Sequence, residues 1–387
     1  MPGKVLFCAT VDYHFRAFHL PTLRKFKEAG WDVHIAARGQ LELPYVDRKF
    51  DIPFSRSPFS LDNVSAYRQV KALMDKHEYN LVHCHTPMGG VVARLAARNI
   101  RRSGAKVLYT AHGFHFYKGA PLQNWLLYYP IEKWLARHTD CLITINDEDF
   151  ALAAERKLRA GQLAHVHGIG IDASRFKPLE PAEKSALRRQ LGYRDDELLL
   201  FYAAEFNVNK NHRVLIEAMA MLKDRAPAAK MLFAGKGGLE QECRKLAEQL
   251  GVASRIDFLG YRDDIPRIVP ACDIVVSGSL REGLPVNIME AMACGLPVVA
   301  SRNRGHNELV EHNVSGFLLD PLDAAGFAAR LEELASSERL RFQMKKENLR
   351  RIDRYTLHRV QAELTDIYMP YAPELQIEAE RSRWAAP

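Results

Sequence analysis

Short apolar runs alternate along this chain with segments of helical spacing. In the first half the runs are Val5–Ala9, Asp32–Ala36, Leu81–Cys84, Lys106–Thr110 and Cys141–Thr144. Helical periodicity fits Arg16–Glu28, Val64–Lys76, Gly90–Asn99, Gln123–Arg137 and Asp147–Lys157 between and after them. Runs that are apolar throughout predict strands covered on both faces, and their alternation with helices predicts doubly wound parallel sheets. A second set follows at Leu198–Ala203, Lys230–Ala234, Ile256–Leu259, Asp273–Ser277 and Val298–Ser301. The pattern pauses at His167-Gly168-Ile169-Gly170 through Pro178, where glycines permit sharp turns and proline blocks a helix. The predicted division is an N-terminal domain over 1–170 and a C-terminal domain over 171–363.

Composition narrows the class. A chain of 387 residues exceeds one ordinary core, and 47% hydrophobic with 26% charged residues is the make-up of a globular protein. Six cysteines are scattered, with no Cys-x-x-Cys, which predicts buried reduced thiols in a reducing, cytoplasmic compartment. Gly3-Lys4 leads straight into an apolar run, so no signal peptide is expected, and no stretch reaches the roughly 20 apolar residues of a membrane span. The net charge of +7 needs an anionic partner. No helix-turn-helix, zinc finger or RNA-binding sheet signature is present, which argues against nucleic acid and favours the inner face of a membrane. Gln123–Arg137 contains Trp125, Leu126, Leu127, Tyr128, Tyr129, Ile131, Trp134 and Leu135, with Arg94, Arg98, Arg101, Arg102 and Lys106 close by in sequence. That helix reads either as core or as a dock for a lipid-linked acceptor.

Two carboxylates carry the sharpest chemistry. Ile274-Val275-Val276 reads as a buried strand, Pro285 suits a helix start, and Gly295-Leu296-Pro297 stops that helix before Val298-Val299-Ala300. Glu282 therefore falls on a loop and Glu290 on the following helix. Amides at Gly283 and Leu284, beside a helix N-terminus, predict an anion contact, and Glu290 can accept hydrogen bonds from vicinal hydroxyls. Diphosphate beside ribose is the layout of a nucleotide sugar. The plainer alternative makes Glu282 a cap and Glu290 a solvated helix residue. Gly235-Lys236-Gly237-Gly238 follows a strand and either lets a ligand approach the backbone or makes a tight turn. Asp147-Glu148-Asp149 has Asp-x-Asp spacing but follows Asn146 at a strand end, which reads as helix capping. His83 and His85 sit two apart; no carboxylate or cysteine completes a ligand set, so no metal is expected.

Ser277-Gly278-Ser279-Leu280-Arg281-Glu282-Gly283-Leu284-Pro285, continued by Glu290-Ala291-Met292-Ala293, resembles the signature of retaining family 4 glycosyltransferases. Gly170-Ile171-Asp172 ahead of Phe176 and Pro178 resembles that family's interdomain link, and the resemblance covers most of the chain. It implies an α/β GT-B fold, two Rossmann-like doubly wound domains facing across a cleft. The last helix, about residues 364–387, would return to the first domain, with Tyr368-Met369-Pro370-Tyr371 marking the crossing and a polar tail after Pro373.

On the donor side the resemblance assigns Glu290 to the ribose, Glu282 to the transferred sugar and Lys210 to the diphosphate, and Arg281 on the Glu282 loop could add charge beside it. Gly283, Leu284 and Gly235 would supply backbone contacts, and Tyr261 and Arg262 would receive the base. His112 would touch the transferred sugar or the acceptor, making His112, Glu282 and Lys210 the catalytic set. His14, Arg16, His85 and His115 fall on the acceptor side. No cofactor or metal is implied, because helix amides and basic side chains stabilise the leaving diphosphate. Two departures stand out. Glu205 occupies a place where the family often has arginine, and the first loop, Thr10 to Arg16, lacks the family's paired glycines.

The resulting expectation is a retaining transferase that moves a hexose or N-acetylhexosamine from a UDP-sugar to a polyprenyl-diphosphate-linked or other glycan acceptor of bacterial surface polysaccharide. The alternatives are a UDP-sugar 2-epimerase on the same fold and a non-catalytic module binding membrane or polyanion.

Overall fold

The computed structural model of the chain describes residues 3–375. The chain divides into two compact units: one runs to Ile169 and resumes at His358, and the other is Gly170–Leu357.

The first unit begins β1 (Lys4–Val11), α1 (Tyr13–Phe18), α2 (Leu20–Glu28), β2 (Asp32–Arg38), β3 (Arg48–Asp51) and α3 (Asp62–His77). It continues β4 (Leu81–His85), α4 (Pro87–Ala96), α5 (Arg98–Arg102), β5 (Lys106–Ala111), α6 (Leu122–Ala136), β6 (Cys141–Thr144), α7 (Asp147–Glu155) and β7 (Gln162–His165). The second opens with α8 (Pro181–Leu191), β8 (Leu198–Ala203), α9 (His212–Leu222), β9 (Ala229–Ala234), α10 (Glu240–Gln249) and β10 (Ile256–Gly260). It closes with α11 (Ile265–Ile268), β11 (Ile274–Ser277), α12 (Val286–Ala293), β12 (Val298–Ser301), α13 (Arg304–Leu309), β13 (Gly316–Leu319), α14 (Ala324–Ser336) and α15 (Glu338–Arg351). A final helix, α16 (Leu357–Tyr368), carries the chain back.

Every strand pair is parallel, in a seven-stranded sheet ordered β3-β2-β1-β4-β5-β6-β7 and a six-stranded sheet ordered β10-β9-β8-β11-β12-β13. The central strands are apolar because helices cover both faces: Leu6, Val82, Val107 and Leu142 are buried in the first core, and Leu200, Val276 and Val299 in the second. In each sheet the strand order reverses beside the first strand, between β1 and β4 and between β8 and β11. Loops that leave the carboxyl ends of such a pair diverge, and the crevice they leave is where ligands bind in open α/β sheets.

Three differences from the sequence pattern are instructive. The expected helix Arg16–Glu28 is two helices broken at His19. Pro21 lacks an N–H and its ring excludes a continuous helix, so α1 ends with His19 donating to the Phe15 carbonyl. Strands β3, β7 and β13, absent from the apolar pattern, are all sheet edges. The chain returns to the first unit at His358, earlier than the expected position near 364. Ile171 exchanges backbone hydrogen bonds with Tyr355 and Leu357 at 2.9 and 2.8 Å there. A Cβ at Gly170 would lie 2.8 Å from the Leu357 Cα, so glycine is required at this joint. Tyr368, expected to mark the crossing, is instead buried within the first unit, its hydroxyl 2.5 Å from His83 Nδ1. The polar tail lies mostly in 376–387, outside the described residues. All six cysteines are free and buried.

Candidate functional site

The crevice of the second unit is built by two loops tied to each other. After β8, the Asn207 side chain accepts from the Lys210 amide at 3.0 Å and closes a single tight turn over Val208–Lys210. After β11, the Leu280 amide donates to the Asn209 carbonyl at 2.7 Å, and Asn209 Nδ2 donates to the Arg281 carbonyl at 3.0 Å. Beneath them the buried Tyr202 hydroxyl bridges the Lys210 carbonyl at 3.0 Å and Ser279 Oγ at 2.8 Å. These contacts leave the Lys210 ammonium 2.5 Å from Glu282 Oε1. The two side chains are 26% and 13% exposed, so this pair is worth more than the ~1 kcal/mol of a surface ion pair and less than the ~3–5 kcal/mol lost when a buried pair is broken.

Residues outside the motif brace the Glu282 loop. Arg304 Nε donates to the Glu282 carbonyl at 3.0 Å. A Cβ at Gly305 would meet the Gly283 carbonyl oxygen at 2.8 Å and Glu282 Cβ at 3.0 Å, so only glycine fits there. His306 is buried and held through Nδ1 by the Ser301 carbonyl at 2.6 Å, and burial drops its pKa to about 4. Sequence reasoning missed this group. Its one signal was position, the first residues beyond a strand that ends on the crevice.

Glu290 lies on α12, the helix into which the Glu282 loop runs. An edge of it stays in contact with solvent, yet its carboxyl is packed deeply enough that burial pushes its pKa up to about 8, against the pull of Arg175. A carboxyl so placed gains by accepting hydrogen bonds from two neighbouring hydroxyls, which favour its ionised form. Arg281 is half-buried on the same loop, and Leu284 is buried.

Other donor-side expectations fare differently. Gly235 is not an open cradle: its amide donates to the Gly260 carbonyl at 2.7 Å, and a Cβ would fall 1.9 Å from the Ala204 carbonyl oxygen. The glycine serves a tight strand–helix turn against the chain's own backbone. Tyr261 is largely exposed beyond β10, and Arg262 is paired with Asp264 at 2.6 Å. Glu205 is exposed on the β8 loop.

The crevice of the first unit is lined by histidine. Asp12 starts α1 but is spent on structure, accepting from the Leu41 amide and pairing with Lys49, both at 2.8 Å. His14 and His19 bring their Nε2 atoms to 3.1 Å at the α1–α2 corner. His85, at the end of β4, sets its Nδ1 3.3 Å from His112 Nε2, just beyond β5. Burial holds His14, His19 and His85 well below the usual imidazole range, and brings His112 down to about 4. All four rings are therefore neutral at neutral pH. His83, paired with His85 by linear spacing, is a structural residue satisfied by Tyr368 at 2.5 Å and Thr110 at 2.8 Å. His19 escaped sequence reasoning because it sat inside a single expected helix; Pro21 was the signal of the break.

Two acceptor-side expectations lie apart from this cluster. Arg16 is on the exposed side of α1. His115 stacks against Tyr128 of α6, ring centroids 4.7 Å apart, and its carbonyl accepts from Asn124. The glycines of the β4–α4 turn serve packing, since a Cβ at Gly89 would lie 3.0 Å from the Ala9 Cα and one at Gly90 2.4 Å from the Tyr109 ring. Asp147-Glu148-Asp149 opens α7, where Asn146 caps the Asp149 amide and buried Asp149 accepts from the Phe114 amide at 2.9 Å.

The aromatic helix α6 divides its apolar residues. Leu135 and Ala136 are buried, and Trp125, Tyr128 and Tyr129 pack on the core. Leu122, Leu126, Leu127, Ile131 and Trp134 are exposed. Arg98 lies 6.0 Å over the Trp134 ring, and a surface hollow of about 340 Å³ beside it is lined by Arg98, Arg101, Arg102, Lys106, His138 and Asp140.

Comparison with known proteins gives the family and the fold. Residues 183–351 match the family described as Glycosyl transferases group 1, and residues 4–146 the family described as Glycosyl transferase 4-like. EpsD of Bacillus subtilis (strain 168), named as a glycosyltransferase, is 50% identical over 371 residues, 96% of this chain and 97% of that one. The Escherichia coli UDP-Gal:alpha-D-GlcNAc-diphosphoundecaprenol alpha-1,3-galactosyltransferase is 26% identical over 318 residues, covering 79% and 81% of the two chains. The crystal structure of Anabaena Alr3699/HepE in complex with UDP and glucose superposes with a TM-score of 0.77 at 21% identity, over 95% of this chain and all of that one. The architecture is GT-B.

Proposed function

The chain belongs to the group 1 glycosyltransferases, and on that premise we propose that it transfers a hexose or N-acetylhexosamine, with retention, from a UDP-sugar to a polyprenyl-diphosphate-linked glycan. The reading places it in the assembly of bacterial exopolysaccharide or capsule. One observation carries it: Lys210 and Glu282, from the loops after β8 and β11, meet at 2.5 Å where the strand order reverses, and Glu290 stands on the helix that follows. Support for a UDP donor and a lipid-linked acceptor comes from the Escherichia coli relative, whose name specifies both, and from UDP and glucose in Alr3699/HepE.

In this reading the donor diphosphate docks against the Gly283-Leu284 amides and the Lys210 ammonium, with Arg281 adding charge. Lys210 has three N–H donors, so it can hold Glu282 and a phosphate oxygen together. Glu282 keeps lone pairs for hydroxyls of the transferred sugar, and Glu290 accepts from the ribose diol. The sugar C1–O bond breaks with its electron pair passing to the diphosphate. The acceptor hydroxyl attacks C1 from the same face, and its proton goes to the departing phosphate oxygen. No enzymic nucleophile is required. Stabilising the negative charge on the leaving group dominates the rate, and one such contact is worth about 3–4 kcal/mol. No cofactor or divalent ion takes part in this step. On the acceptor side, neutral His112, with His14 and His85 behind it, meets hydroxyl groups without bringing a charge.

The acceptor's lipid tail accounts for α6. No helix among the described residues is long and apolar enough to cross a membrane. Exposed Leu122, Leu126, Ile131 and Trp134 on α6, with Arg98 over the Trp134 ring and Arg101, Arg102 and Lys106 lining the same hollow as Arg98, suit peripheral attachment to the anionic inner face of the cell membrane.

The test is transfer from radiolabelled UDP-sugars, supplied one at a time without added metal, to polyprenyl-diphosphate acceptors in vesicles. Label should enter the lipid fraction with one donor, and a Glu290→Ala chain that still folds should transfer nothing. Wild-type transfer by that variant would refute the assignment.

A further inference from the structure

Four imidazoles meet in the first unit from three segments far apart in sequence: His14 and His19 from the α1–α2 corner, His85 from the end of β4, and His112 from beyond β5. One ring nitrogen of each lies within 4.8 Å of the other three. Tetrahedral Zn–N bonds of about 2.0–2.1 Å separate ligand nitrogens by roughly 3.3–3.4 Å. The His14–His19 and His85–His112 contacts, at 3.1 and 3.3 Å, already have that spacing. A bound ion would draw the two pairs together from separations of up to 4.8 Å.

Hydrogen bonding alone leaves the cluster incomplete. His83, one strand position pair away, has both nitrogens taken by hydroxyl partners. His85 Nε2 is buried with no partner among the described residues. A neutral imidazole carries one N–H and one lone pair, so each of the four rings has one nitrogen able to bind a metal ion. Imidazole is a ligand type suited to Zn²⁺, Cu²⁺ and Ni²⁺. His112 is the least buried of the four.

We propose that His14, His19, His85 and His112 form a four-imidazole site for a divalent transition-metal ion. The four residues belong to the first unit, and Lys210, Glu282 and Glu290 belong to the second. Metal and acceptor hydroxyls compete for the same ring nitrogens.

The experiment uses the full chain without a histidine tag, stripped with a chelator and dialysed against buffered Zn²⁺, beside the His14→Ala/His19→Ala double variant. The wild-type chain should retain about one Zn²⁺, and the variant less than about a tenth of that. Equal retention by the two, with the variant shown to be folded by circular dichroism, overturns the site. Co²⁺ added to the stripped wild-type chain gives a reading that needs no variant. Intense visible bands of a four-coordinate ion support the site, and the weak spectrum of aqueous Co²⁺ overturns it. Neither measurement involves a sugar nucleotide, so failure here is distinct from failure of the transfer reading.

Discussion

Both sheets reverse strand order beside their first strand, and both place loops there that end on a crevice, yet the two crevices carry opposite electrostatics. The one between β8 and β11 holds an ion pair, Lys210–Glu282, and the titratable Glu290. The one between β1 and β4 holds imidazoles that burial keeps neutral. Topology fixes where a ligand sits, because only there do neighbouring loops part. The residues on those loops decide what it is. An ammonium that shares itself with a carboxylate suits a diphosphate whose charge grows as the bond breaks, and a neutral cluster suits hydroxyls or a metal ion.

The largest effect that could break this contrast is loss of the ammonium. Lys210→Ala should lower kcat about 100- to 1000-fold, the range for removing one stabiliser of a developing charge. Circular dichroism should show an intact fold. A kcat within threefold of wild type would mean that the second crevice does not hold the leaving group.

Acid should separate the two units next. His14, His19 and His85 titrate well below their open-chain value of about 6.5, and His83 and His112 near 3 and 4. The unfolded chain then binds more protons, so stability present above about pH 6.5 is lost as pH falls through that window, by up to ~1.4 kcal/mol per histidine per pH unit. Hydrogen exchange between pH 7 and 4.5 should show β1, β4 and β5 losing protection before β8, β11 and β12. Simultaneous loss would cancel the distinction.

Glu290 works in the opposite sense. Its carboxyl is raised to about 8, so the folded chain binds the proton more tightly than the open chain, and its stability contribution falls as pH rises from about 4.5 to 8. Ribose hydroxyls select the ionised form. UDP-glucose, whose diphosphate does not titrate here, should therefore bind more tightly with rising pH, by at most about tenfold per unit below pH 8. Calorimetry on Glu290→Gln should show a flat profile; a slope retained by that variant would point to another group.

Gly305→Ala is the finest probe. Its Cβ would press on the Gly283 carbonyl at 2.8 Å, and overpacking of this kind costs about 1–3 kcal/mol. Transfer should fall roughly tenfold with binding little changed, because the strain lands on the Glu282 loop. Unaltered thermal stability and rate would show that the loop is free to move.

What the sequence disclosed follows from the same physics. Cys141–Thr144, Leu198–Ala203 and Val298–Ser301 were legible to the residue because interior strands are apolar on both faces. Arg48–Asp51, Gln162–His165 and Gly316–Leu319 were not, since edge strands need no such pattern. Glu282 and Glu290 share one strand–loop–helix unit, and linear spacing is enough to read them. The histidine cluster joins positions 14, 19, 85 and 112, which only sheet topology brings together. Gly235 misled for a related reason: a glycine signals close approach, and here the approaching group is the chain's own Ala204 carbonyl.

The most direct test is hydrogen–deuterium exchange with and without UDP. Protection should appear in residues 204–212 and 278–290, the two loops of the second crevice and the start of α12. Protection confined to the loops after β1, β4 and β5, with those segments unchanged, would contradict the account.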